Sequence, residues 1–229
     1  GVIIDNTYLY MGTDNGILIY NYRTDRYEQP ATDFPTDVRT MALQGDTLWI
    51  GALNGLYTYQ LQNRKLSPLD TKRNGLPHNT IYSIIRTGDN QIYVGTYNGL
   101  CRYIASNGKF EKIPLPVNSS QSNLFVNSLL EDTGRQCIWI GTEGYLFQYF
   151  PSTGQMKQTE AFHNNSIKSL ALEGNGDLLA GTDNGLYVYH NDVTPLQHII
   201  HDSRNIQSLT NNIIWNIFAD QEHNIWLGT

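Results

Sequence analysis

The chain has 229 residues, a formal net charge of −6, 16% charged residues and 11% aromatic residues. That length can bury a core as one all-β unit or as two small domains. The basic residues are scattered without any run, which argues against a nucleic-acid partner, and no apolar stretch approaches membrane-spanning length.

The predicted elements repeat along the chain. YLYMGTDNGILIY begins at Tyr8, LWIGALNGLYTY at Leu48, IYVGTYNGLCRY at Ile92, IWIGTEGYLFQY at Ile138, LLAGTDNGLYVY at Leu178 and IWLGT at Ile225. The glycine closing each apolar triplet falls at Gly12, Gly51, Gly95, Gly141, Gly181 and Gly228. A period near forty residues with several short strands per unit is that of a β-propeller blade, and no unit shows a helical period.

The expected blades run over about 1–30, 31–69, 70–113, 114–159 and 160–199, with the first two strands of a sixth in 200–229. In the second, the four strands are read at Val38–Leu43, Thr47–Ala52, Gly55–Gln60 and Lys65–Leu69. Asn15-Gly16, Asn54-Gly55, Asn98-Gly99 and Asn184-Gly185 mark the turn after the triplet strand, where positive φ is expected. The fourth copy, Gly141 to Gly144, is shorter and lacks the Asn, so its turn needs another geometry. Unbroken triplets such as Leu48-Trp49-Ile50 and Ile138-Trp139-Ile140 predict strands covered on both faces, with Trp49 and Trp139 between neighbouring blades.

The pattern N-x-[VI]-x-x-[IL], then a gap, then [LI]-W-I-G-T-x-x-G-L-x-x-Y resembles the two-component regulator propeller repeat. Asn79 to Ile84 with Ile92 to Thr96, and Asn212 to Ile217 with Ile225 to Thr229, are good copies. Ala52 in place of Thr, and Leu178-Leu179-Ala180 without Trp, depart from it. The resemblance implies part of a seven-bladed ring in the periplasmic sensor region of an inner-membrane regulator, as in hybrid two-component systems of Bacteroidetes. It also implies further propeller and immunoglobulin-like domains, a full-length homodimer, oligosaccharide sensing, and a histidine kinase outside these residues. Some similar proteins join the propeller to a DNA-binding domain without a kinase. An incomplete ring is expected here, with Trp226 not packed against the first blade.

No HExxH, GxSxG, P-loop or Asp-rich calcium loop occurs, so no catalytic group, cofactor or metal is assigned. His198 and His201, followed by Asp202, lack a third ligand and read as polar loop residues. Asp14 and Asp183 suit their turns through backbone hydrogen bonds. Asp37 and Glu131 form no convincing carboxylate pair for a glycan-degrading propeller. Cys101 and Cys137 read as small buried hydrophobes rather than a disulfide.

The repeats also align with one another within the chain. Near the start of each first strand, one column stays small or polar: Thr40, Ser83, Ser128, Ser169 and Asn216. The residue before it changes each time: Arg39, Tyr82, Asn127, Lys168 and Trp215. The constant column reads as packing, and the variable one reads as the walls of a ligand site. The opposing reading is gap-filling between blades. Loop residues Arg73, His78, Asn79, His163, Asn164, Arg204 and Asn205 are expected to overhang the column. Two cations, Arg39 and Lys168, without an acidic member in the column favour an acidic or sulfated glycan, unless they pair instead with nearby acids such as Asp37. The alternative to sensing is a passive interaction or dimerisation scaffold, which predicts an exposed apolar patch instead.

Overall fold

The apolar triplets form strands because successive residues of each triplet face different neighbouring sheets. The structure is a computed structural model that describes residues 1–28, 33–116, 124–159, 165–190, 195, 197–220 and 222–229. The chain divides into two compact units, Gly1–Leu115 and Pro116–Thr229.

In the first unit, sheet one is a meander of β1 (Val2–Ile4), β2 (Tyr8–Thr13), β3 (Gly16–Asn21) and β4 (Arg26–Glu28). Sheet two holds β5 (Val38–Gln44), β6 (Thr47–Ala52), β7 (Gly55–Gln60) and β8 (Lys65–Leu69), one residue from the expected limits. A single helical turn, α1 (Thr71–Asn74), follows. Sheet three holds β9 (Ile81–Arg86), β10 (Ile92–Thr96), β11 (Gly99–Ile104) and β12 (Lys109–Ile113).

In the second unit, sheet four holds β13 (Val126–Asp132), β14 (Cys137–Thr142), β15 (Leu146–Phe150) and β16 (Gln155–Gln158). Sheet five holds β17 (Ile167–Leu172), β18 (Leu178–Thr182), β19 (Gly185–Tyr189) and β20 (Gln197–Ile199). β21 (Asn216–Ala219) and β22 (Ile225–Gly228) make the two-stranded sheet six. Every strand pair is antiparallel.

The core lies between sheets. Leu48, Ile50 and Tyr59 of sheet two pack with Tyr10, Ile17 and Ile19 of sheet one. Trp49, between Leu48 and Ile50, points the other way and packs with Ile81, Ile84 and Val94 of sheet three. Trp139 of sheet four likewise meets Ile167, Leu170 and Leu178 of sheet five. Leu179 and Val188 of sheet five meet Ile214 and Ile217 at sheet six. Both cysteines are buried free thiols, and burial pushes the Cys101 thiol far up.

The recurring glycine has a packing reason. A Cβ at Gly12, Gly51 or Gly141 would lie 2.6 Å from Val38, Ile81 or Ile167, which open the next sheet, and one at Gly181 2.7 Å from Ile214, just ahead of sheet six. Only a missing side chain allows that approach.

The turns depart from expectation. Thr13 pairs with Gly16, Thr96 with Gly99 and Thr182 with Gly185, so the two-residue loops are Asp14-Asn15, Tyr97-Asn98 and Asp183-Asn184. The Asn is outside the left-handed region, and the positive φ (95–117°) belongs to the glycine after the loop. The Thr hydroxyl donates to that glycine's carbonyl, at 2.9–3.0 Å, and closes the turn. The fourth copy does differ: Gly144 carries the positive φ (83°), and Thr142 bonds to the Tyr145 carbonyl.

Candidate functional site

In sheets two to five the start of the first strand is irregular in the same way. Val38 pairs with Ala52 and Thr40 with Gly51, leaving Arg39 as an extra residue in a β-bulge. Tyr82 is the extra residue between Ile81 and Ser83, Asn127 between Val126 and Ser128, and Lys168 between Ile167 and Ser169. Trp215 holds the matching place ahead of β21, its N–H donating to the Gly228 carbonyl. A bulge frees one residue from the ladder and re-aims its side chain. The chemically variable column is thus the bulged column.

Its neighbours are fixed by packing. The residue before the bulge fills the space above the glycine of the preceding sheet. The residue after it links adjacent first strands: Thr40 Oγ1 accepts from the Ile84 N–H, and Ser169 Oγ from the Ile217 N–H. At Thr40 and Ser169 this link accounts for a short hydroxyl-bearing side chain.

In the second unit the two bulge residues and Trp215 join one seam. Asn127 Nδ2 donates to Ser166 Oγ at 2.9 Å. The Ser166 N–H donates to Asp183 Oδ2 at 3.4 Å. Asp183 Oδ1 lies 2.8 Å from Lys168 Nζ, and that ammonium sits 4.5 Å from the centre of the Trp215 ring. Trp215 remains 62% exposed. The half-exposed ion pair contributes about 0.2–1 kcal/mol and the cation–π contact about 0.5–1 kcal/mol, enough to hold Lys168 in place. Ser166 and Asp183 were missed as seam members in the sequence. Asp183 reads there as a turn residue, and only its reach across to Lys168 reveals more.

In the first unit, Arg39 is exposed without an ion pair among the described residues, and Tyr82 is half-buried. The loop residues mostly build their own loops. Asp70 caps α1 and pairs with Arg73 at 2.9 Å, which draws the carboxyl below its ordinary range, chiefly through the Arg73 backbone N–H. His78 Nδ1 accepts from the Thr80 N–H, and its ring lies 4.9 Å from that of Tyr97. Asn79 is exposed. Arg204 pairs with Asp202 at 3.4 Å, and Asn205 Oδ1 accepts from the Gln207 N–H. His163 and Asn164 lie outside the described residues.

His198 stacks on Tyr187, ring centres 4.0 Å apart, and bonds to the Asn184 carbonyl, while His201 bonds to the Leu209 carbonyl. Among the described residues no three His, Cys, Asp or Glu side chains group as a metal site. No helix is long and apolar enough to cross a membrane.

Meandering four-stranded sheets, stacked through repeated glycines, define an all-β protein of the β-propeller class. The chain matches the profile of the "two component regulator propeller" family at residues 75–98 and 208–229. It is 92% identical, over its whole length, to the extracellular domain of BT4673 from B. thetaiotaomicron in two crystal structures, with TM-scores of 0.95 and 0.96. One of these names BT4673 a one-component system and the other a hybrid two-component system. The extracellular domain of the hybrid two-component system BT3049 shares the fold at 21% identity and a TM-score of 0.78, over all of this chain and 32% of that one. Histidine kinase P4 of Formosa agariphila is 27% identical over 96% of the chain. The chain spans 31% of the BT4673 structures and 17% of the kinase.

Proposed function

We propose that this chain is the ligand-facing sensor segment of a membrane-bound two-component regulator. It lies on the periplasmic side, receives an oligosaccharide, and passes the signal to a histidine kinase elsewhere in the same protein. The single observation that carries the reading is the bulged column. Packing dictates the residues on either side of it, yet the bulge residue is a guanidinium, a phenol, an amide or an amine, and the matching place ahead of β21 holds an indole. Side chains released from the ladder and chosen separately are what a binding face needs. The extracellular location of the BT4673 domain and the kinase similarity support the setting.

The test is binding of the 229-residue chain to a panel of oligosaccharides by calorimetry. Trp215→Ala and Asn127→Ala should each weaken binding about tenfold or more, with the fold retained by circular dichroism. A chain that binds no glycan, or variants that bind as the parent does, would overturn the reading.

One observation favours the scaffold reading as a second function. On sheet one, Val2, Ile4, Leu18 and Tyr27 are exposed, and strand pairing places Val2, Met11 and Leu18 on one face. An apolar face of that kind marks a contact surface. It would serve assembly with other domains of the protein and does not compete with the seam.

A further inference from the structure

We infer that the group received at the Trp215 end of the seam is uncharged: a neutral sugar ring laid on the indole, not an acidic or sulfated one. This rests on the sensing reading of the same residues and names the ligand class. Counted in the sequence, Arg39 and Lys168 make a cationic column. In the structure Lys168 leaves that count, because its ammonium is held 2.8 Å from Asp183 and 4.5 Å from the Trp215 ring. Arg39 belongs to the other unit.

The acids then decide the sign. The Asp183 side chain is 42% exposed, so an anion approaching Lys168 also meets that carboxylate. Glu143, whose backbone bridges to Ser166, is exposed and supplies no cation to the seam. Like charges brought together in a partly dry site are costly. What the seam offers instead is neutral. Trp215 is 62% exposed with the Lys168 ammonium over its ring, and a flat apolar indole face suits the face of a sugar ring. Asn127 and Ser166 bring an amide and a hydroxyl, which can both donate to and accept from sugar hydroxyls.

The experiment titrates the chain with neutral hexasaccharides (xylo-, manno- and malto-) and with anionic ones (galacturonate, sulfated chondroitin). Affinity is read by calorimetry at low and high salt. A neutral ligand should bind with a Kd that changes less than about twofold between about 20 and 300 mM NaCl. Asp183→Asn should create binding of an anionic hexasaccharide that the parent lacks, and that new binding should fall about tenfold over the same salt range. Salt-sensitive binding of an anionic glycan by the parent chain, lost in Lys168→Met, would overturn the inference and leave the sensing reading standing. Binding of neither class would defeat the sensing reading itself, and this inference with it.

Discussion

Sheets four and six contain nearly the same hairpin in different surroundings. In sheet four, the Trp139 indole donates to Asp132 Oδ2 at 3.0 Å; in sheet six, the Trp226 indole donates to Asp220 Oδ2 at 2.8 Å. Backbone N–H groups of each hairpin bind the other carboxylate oxygen. Burial pushes the Asp132 carboxyl up, but the indole and Arg135 outweigh it, so the group stays below its ordinary range. The Trp226 indole and Asn224 bring Asp220 down to about 2. Yet Trp139 is 1% exposed and Trp226 61% exposed. The hairpin's own residues set the lock between indole and carboxylate. Burial comes from the neighbouring sheet, as sheet five covers Trp139.

The largest expected effect breaks that comparison directly. Trp139→Ala should destabilise the chain by about 3–5 kcal/mol, since a buried indole leaves a cavity that the surrounding strands cannot fill. Trp226→Ala should cost about 1 kcal/mol or less, the worth of one exposed hydrogen bond and some partial packing. Urea unfolding followed by circular dichroism measures both. Equal costs would mean that the local lock, not the covering sheet, supplies the stability.

A smaller effect sharpens it. Gly181 and Gly228 hold the same place in the repeat. A Cβ at Gly181 would lie 2.7 Å from Ile214, whereas at Gly228 its nearest neighbours are 3.8 Å away. Gly181→Ala should therefore cost about 1–3 kcal/mol through overpacking. Gly228→Ala should stay within about 0.5 kcal/mol of the parent. Thermal unfolding of the two variants distinguishes them, and a tolerated Gly181→Ala would show that the sheets can spread.

Much of the fold was legible because the repeat states it several times. Strand limits in sheet two came out within a residue, since apolar runs and glycines both mark them. The buried places of Trp49 and Trp139 followed from strands apolar on both faces. What stayed hidden depends on register. A bulge is a mismatch between two strands, and neither strand alone displays it; so the variable column was visible as a column but not as a bulge. The turns show the same limit. Asn-Gly marked the hairpins correctly, but pairing of Thr13 with Gly16 shifted the loop by one residue. The site was legible only in part. Lys168 was readable as a candidate, while its pairing with Asp183 and its seat over the Trp215 ring join residues 15 and 47 positions apart (183 − 168; 215 − 168). That pairing takes Lys168 out of the free cations that the charge argument from the sequence counts.

The smallest effect tests the constant column, where the same side chain is partnered in one sheet and not in another. Ser169 Oγ accepts from the Ile217 N–H at 3.0 Å and lies 3.3 Å from Asn216 Oδ1, tying β17 to β21. Ser128 holds the matching place in sheet four, but its buried Oγ has no hydrogen-bond partner among the described residues. Ser169→Ala should leave the Ile217 N–H buried and unpaired, a loss of about 1–1.5 kcal/mol. Ser128→Ala removes a hydroxyl that already lacks a partner, so its cost should be near zero, or it should stabilise the chain slightly. Denaturant unfolding of the two single variants, run side by side with the parent, resolves a difference of that size. If Ser128→Ala costs as much as Ser169→Ala, its hydroxyl is bonded in solution, and the constant column links all the sheets alike. If both are neutral, the link between first strands adds nothing to stability, and the small size of the column has to be explained by packing alone.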